Sequence, residues 1–282
     1  MPVPRTLTRR VVLPACFVGA VLAACGSDSA EAPGVTPAAD DAGAPTHEDA
    51  QAPLTDGGAQ APDAGGFTSC AALAGRPEVR FCDDFEDGDL TNDWTVATGV
   101  PANRTTLDLA LEARSGQYAF YAATEAAAQD VPTSANLRKT VPGAFTRASL
   151  SFAIRMPRTD VGKGALAVAT LDVAPSHFFT LHLRDVLLDV PGADLEESRV
   201  TGSLRRPLSA ALPVDRWTRV AIDLDLAAGR AEVRFDGVTV LAGAEIAKEP
   251  GTEANVRVGA VYVVGPTPKV EVLIDDVLLE TW

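Results

Sequence analysis

The stretch TRVAIDLDLAAGRAEVRFDG, residues 218–237, decides the fold class. Val220, Ile222, Leu224 and Leu226 alternate with Arg219, Asp223 and Asp225, and Ala231, Val233 and Phe235 then alternate with Glu232 and Arg234. Successive side chains of a strand point to opposite faces, so an apolar set repeating every second residue marks a strand with one buried and one wet face. Ala227-Ala228-Gly229 and Asp236-Gly237 punctuate the pattern. Both read as tight hairpin connections, the Asp-Gly pair because it tolerates the positive φ angles of a two-residue turn. The stretch is predicted to be an antiparallel meander.

Outward from it, Leu150, Phe152, Ile154 and Met156 alternate with Ser149, Ser151 and Arg155. Further strands are predicted over 118–123, 164–173, 178–190, 256–264 and 270–279, and short helices only over 70–73 and 242–248. Many strands, few helices and Gly/Pro turns predict an all-β, two-sheet antiparallel jelly-roll sandwich over residues 70–282, a length suited to one core.

The N-terminus reads differently. Arg5, Arg9 and Arg10 precede a short apolar run that ends at a cysteine, the layout of a secretory leader too short to be a permanent membrane span. Leu22-Ala23-Ala24-Cys25 fits the bacterial lipobox. Residues 1–24 are therefore predicted to be a lipoprotein signal peptide and Cys25 the lipidated residue, giving a membrane partner through acyl chains. Gly26 follows the cysteine in place of the aspartate associated with inner-membrane retention, so the outer membrane of the cell envelope is the expected address. Residues 26–69 are rich in Ala, Pro, Gly, Asp and Thr and contain no Lys or Arg; they are predicted to be a disordered linker.

The chain carries a formal net charge of −14, and removal of residues 1–24 takes three arginines and no acid. Such a chain repels phosphate backbones, which argues against a nucleic-acid partner. Of four cysteines, Cys16 leaves with the leader and Cys25 carries lipid. Cys70 and Cys82 remain in an oxidising compartment and are predicted to form a disulfide.

Four stretches, in order, resemble a known family. They are Phe81-Cys82-Asp83-Asp84-Phe85-Glu86-Asp87-Gly88 with Trp94; Ala113-Arg114-Ser115-Gly116; Asp215-Arg216-Trp217-Thr218-Arg219-Val220 running on to Phe235-Asp236-Gly237; and Val272-Leu273-Ile274-Asp275-Asp276-Val277. Together they look like the laminin-G-like, concanavalin A-like jelly rolls carried on bacterial lipoproteins. Galactose-binding-like carbohydrate modules share the opening Phe-Glu and closing Ile-Asp-Asp-Val, and that topology stays open beside the first. The resemblance implies a structural calcium held by Asp84 and Glu86, on one face of the opening strand, with Asp275 of the closing strand. The alternative for these acids is to cap strand ends, bind backbone amides or face water.

Catalytic patterns are sparse. A retaining glycosidase needs two carboxyls about 5–5.5 Å apart, supplied in this fold by a Glu-x-Asp-x-Glu string, which the sequence lacks. Asp223-x-Asp225 is the nearest approach, and Glu196 and Glu197 sit in a stretch predicted to be a solvated loop. Thr180, His182 and Arg184 share one strand face, a lyase-like constellation of proton acceptor and cation. Sugar stacking would use an exposed aromatic, for which Trp94, Trp217, Tyr118, Tyr121, Tyr262 and Trp282 are candidates. The expectation is a non-catalytic binding module for polysaccharide, with Trp94, Tyr121, His182 and Arg184 as ligand contacts. A jelly-roll glycoside hydrolase or lyase, and an adhesion module with an envelope-protein partner, are the alternatives.

Overall fold

The computed structural model describes residues 69–99, 105–126, 132–157, 164–185 and 192–282. The leader over 1–24, Cys25 and the linker as far as residue 68 lie outside the described residues.

Two antiparallel sheets form a jelly-roll sandwich. The first contains β1 (Val79–Asp83), β3 (Thr105–Ala110), β4 (Ala119–Thr124), β6 (Arg147–Arg155), β11 (Thr218–Asp225), β12 (Arg230–Phe235), β13 (Val238–Glu245) and β15 (Val270–Thr281). They run in the order β13-β12-β11-β6-β15-β4-β3, with β1 added to β15. The second contains β2 (Thr95–Thr98), β5 (Thr133–Phe145), β7 (Ala165–Ala174), β8 (His177–Asp185), β9 (Asp194–Arg199), β10 (Gly202–Pro207) and β14 (Gly251–Val264), ordered β10-β9-β8-β7-β14-β5-β2.

The meander forms as its alternation dictates. Val220, Ile222, Leu224, Ala231 and Val233 are buried, and Phe235 pairs with Val238 across a two-residue turn. Asp236 and Gly237 both have positive φ (48° and 78°), the backbone a primed turn requires. Asp236 Oδ1 also accepts the Arg219 amide at 2.7 Å, tying the turn to the start of β11. Between the sheets, Phe120, Leu150, Phe152 and Ile154 of the first pack in one core with Leu137, Leu171, Phe179 and Val256 of the second. Each contributes roughly 1.5–3 kcal/mol of apolar burial. Gly259 (φ 115°) sits where the Phe120 ring presses from the opposite sheet, and a Cβ there would fall 2.9 Å from it.

Three predicted features are corrected. Residues 242–245 continue β13, with Ala244 opposite Ala231 and Glu245 opposite Arg230; ladder pairing overrides the helix preference of an Ala-rich segment. Glu196 and Glu197 lie in β9, paired with both β8 and β10, and point to opposite faces. Asp84 and Glu86 lie beyond the end of β1 and not along its face. The strand stops because the Asp83 side chain accepts the Phe85 amide at 2.7 Å and the Trp94 indole N–H, turning Phe85 into the core at φ 58°.

Of the two short helices among the described residues, α1 (Cys70–Leu73) falls where predicted, and α2 (Leu90–Asp93), which was not predicted, is capped by the Asp89 carboxylate on the Thr91 amide. The Cys70–Cys82 disulfide closes, joining α1 to β1 with Cα atoms 5.5 Å apart.

Candidate functional site

The face of the second sheet turned away from the core carries a groove of about 600 Å³. Strand alternation builds it. In β7 the residues Leu171 and Val173 face the core while Thr170 and Asp172 line the groove; in β8 Phe179 and Leu181 face inward while Phe178, Thr180 and His182 line it. Cross-strand register sets one residue from each of six neighbouring strands in a row: Arg138, Arg257, Thr170, Thr180, Glu196 and Arg205. A parallel row holds Asn255, Asp172 and Phe178, and Tyr262 and His182 flank Ala167 on the other side.

Hydrogen bonds fix these side chains. Glu196 is held at three points, by His182 Nε2 at 3.0 Å, Arg205 Nη2 at 2.9 Å and Ser198 Oγ at 2.8 Å. The His182 bond foremost, then Ser198 and Arg205, hold its carboxyl at about 2 against the opposing effect of burial. Its charge is thus fixed through the whole physiological range. Arg138 Nε donates to Asn255 Oδ1 at 3.0 Å, and Arg257 Nη2 stands 3.4 Å from Asp172 Oδ2. Burial pushes the Asp172 carboxyl up, opposed by the two guanidinium groups. His182 is only 6% exposed, and its Nδ1 has no partner. Phe178 and Tyr262, by contrast, are 38% and 42% exposed.

The residues singled out from sequence separate. Thr180 and His182 line the groove as the shared strand face requires. Arg184 stands opposite Leu166 in the β7–β8 pairing, and its side chain lies outside the described residues. Trp94 is 5% exposed and packs edge-on to Phe81 and stacked with Phe85, so its ring faces are covered by the core. Tyr121 lies in the other sheet, its hydroxyl donating to Glu271 at 2.7 Å.

Glu86 and Asp275 meet the same loop from two sides. Glu86 Oε1 accepts the amides of Gln117 and Tyr118 at 2.7 and 2.9 Å, while Asp275 Oδ2 accepts those of Arg114 and Ser115 at 2.8 and 3.1 Å. Asp275 Oδ1 takes the Asp276 amide as well. Burial, with the neighbouring Asp276 carboxylate, pushes Asp275 up to about 7. Asp84 is close enough to help raise Asp276. Among the described residues no three His, Cys, Asp or Glu side chains converge as a ready metal cage.

Arg138, Asp172, Phe178, Arg205 and Arg257 were not singled out from sequence, and Glu196 was read as part of a solvated loop. The one local signal was Phe178, which continues the Thr180/His182 alternation backwards by one step.

No protein-family model matches the chain, and no curated protein matches it. Solved structures do. One is a cellulose-induced protein, Cip1, at 15% identity, covering 71% of this chain and 96% of that one with a TM-score of 0.53. Another is domain 4 of AbnA, a GH43 extracellular arabinanase from Geobacillus stearothermophilus, in complex with arabinotriose; it is 16% identical over 72% of this chain and 92% of that one, TM-score 0.50. The likeness is one of fold.

Proposed function

We propose that this protein is an envelope-anchored polysaccharide-binding module of the laminin-G-like kind, held through Cys25, and that the groove on the second sheet is its ligand site. The observation that carries this reading is the groove itself. An open trough crosses six strands, with polar side chains pinned by mutual hydrogen bonds and two half-exposed aromatics, Phe178 and Tyr262, at its sides. Sugar chains need such a surface, with flat apolar faces to stack on and donors and acceptors already oriented. Phe178 and Tyr262 stand on rows four residues apart along β8, roughly 13 Å at strand rise, so they address different units of one chain. The arabinotriose bound by the AbnA domain supports the analogy. Binding is preferred to glycosidase chemistry because the sequence lacks the paired-acid string along one strand face that hydrolases of this fold carry.

Calcium belongs to the same proposal. Its ligands would be Asp84, Glu86 and Asp275, as the resemblance implies; Asp275 is a buried carboxylate with raised proton affinity, a donor that a hard divalent cation suits.

The test is calorimetric titration of the protein against neutral and acidic polysaccharides, with Phe178→Ala and Tyr262→Ala as variants. Stacking on one ring is worth about 1.4 kcal/mol, so each variant is expected to bind roughly tenfold more weakly. Unchanged affinity in both variants would remove the groove as the site, and release of reducing or unsaturated sugar would replace the binding module with an enzyme.

A further inference from the structure

We propose that His177 and Glu249 form a binding site for a divalent transition-metal ion of the zinc and copper kind, with two protein ligands and the remaining positions open to water. The site lies beside the groove, in a second cavity of about 290 Å³ that shares Ala174, Pro175 and Ser176 with it. It does not depend on what the groove binds.

His177 opens β8 and is 1% exposed. Its Nε2 stands 3.0 Å from Glu197 Oε1. Burial works against the Glu197 charge, but the Ala247 amide, Arg206 and His177 outweigh it and hold the carboxyl below its ordinary range. An ionised carboxylate only accepts, so Nε2 carries the ring proton and Nδ1 of the neutral imidazole is a bare lone pair. That nitrogen is buried and has no hydrogen-bond partner among the described residues. Tying one ring nitrogen to a carboxylate is how proteins set the tautomer and direction of a metal-ligating histidine.

What faces Nδ1 is a second acceptor. Glu249 Oε2 lies 3.3 Å away without making a hydrogen bond to it. Two lone pairs at that distance repel unless a cation lies between them. Zinc holds nitrogen at about 2.0–2.1 Å and oxygen at about 2.0–2.2 Å, which puts two ligands at the tetrahedral angle about 3.4 Å apart. The pair already has the spacing of one tetrahedral edge, whereas a proton shared in line would draw the atoms to within about 3.2 Å. The Glu249 side chain is 51% exposed, so water reaches the open positions. An imidazole beside a carboxylate suits zinc or copper, while magnesium and calcium favour oxygen ligands throughout.

The nearby cations leave room for the ion. Arg206 is committed to Glu197 at 2.9 Å. Lys248 lies along Gly229 and does not line the cavity. Arg199 does line it, but it is exposed and water screens its charge. An ion held here would join the 246–250 segment to the turn before β8.

The experiment titrates the protein calorimetrically with zinc chloride in millimolar calcium, and separately with magnesium chloride. One zinc ion per chain is expected to bind, at least tenfold more weakly to Glu249→Gln and not detectably to His177→Gln. Glu249 is half-exposed, so Glu249→Gln is expected to melt within about 2 °C of the wild type without metal, and zinc is expected to raise the melting temperature of the wild type alone. Copper(II) in place of zinc is expected to show electron-spin-resonance coupling to a single imidazole nitrogen. Zinc bound equally well by the wild type and Glu249→Gln would overturn the site, as would affinity lost in His182→Gln and kept in His177→Gln, or magnesium bound as tightly as zinc. Absence of zinc binding would overturn it too and leave the ring as an imidazolium between two carboxylates.

Discussion

Replacing Glu196 by Gln keeps the side chain's shape and removes its charge from a site where His182, Arg205 and Ser198 converge on it. The folded-state carboxyl titrates at about 2, against an ordinary 4.5. At about 1.4 kcal/mol per pH unit the depression corresponds to roughly 3 kcal/mol, and groove water screens this to about half, near 1.5 kcal/mol. For a domain of this size 1 kcal/mol moves the melting temperature by about 2–4 °C, so the variant is expected to melt about 3–6 °C below the wild type near neutral pH. The sign follows from linkage. A carboxyl whose pKa is lowered on folding stabilises fully above its unfolded value, and the contribution drains away as pH falls through the folded one. The gap between Glu196→Gln and wild type should therefore be the same at about pH 7 and about pH 5.5, then close between about pH 4.5 and pH 2. Differential scanning calorimetry across that range is the assay. A gap that survives unchanged at the acid end would show that the lost acceptor oxygen and not the charge sets the difference, and no gap at neutral pH would refute the ion-pair account.

Two further perturbations address the frame. Asp275→Ala leaves the amides of Arg114, Ser115 and Asp276 without their acceptor, each costing about 1–3 kcal/mol, so its melting temperature is expected to fall even in chelator and to fall further in millimolar calcium; equal losses in both buffers would dismiss the calcium proposal. Cys82→Ser opens a loop closed by residues 12 apart, and the chain-entropy estimate of about 3 kcal/mol predicts a melting point lower by roughly 6–12 °C, whereas a shift under about 2 °C would mean that the segment stays ordered without its cross-link.

The meander was legible because its information is local: Val220 to Leu226 alternate, and Asp236-Gly237 can form the turn unaided. The β9–β10 hairpin was not. Adjacent Glu196 and Glu197 look like a solvated pair until each acquires a partner on its own side of the strand. Glu197 goes to His177, Arg206 and the Ala247 amide, and Glu196 goes into the groove. Those partners come from β8, β10 and residue 247, and no local pattern marks them. The same holds for Arg138 and Arg257, separated by more than a hundred residues and brought opposite by sheet register. His182 and Thr180 could be found because they share one strand. Glu86 of the opening stretch and Asp275 of the closing one both grip amides of the 114–118 loop, and those amides carry no side-chain signature.

The union of β1 with β15 bears on how the domain carries load. Val79 lies opposite Glu280 and Asp83 opposite Val277, so both ends of the domain leave from the same end of one antiparallel pair. Tension applied between them would peel that pair open bond by bond, the weak direction for a ladder. The Cys70–Cys82 bridge alters the force path, because a pull entering at Cys70 passes through sulfur to Cys82 and skips the residues between. Force is delivered inside β1, opposite Leu278, and α1 and the first residues of the strand are relieved of it. The cross-link therefore acts as a strain relief at the point where the chain enters the sandwich.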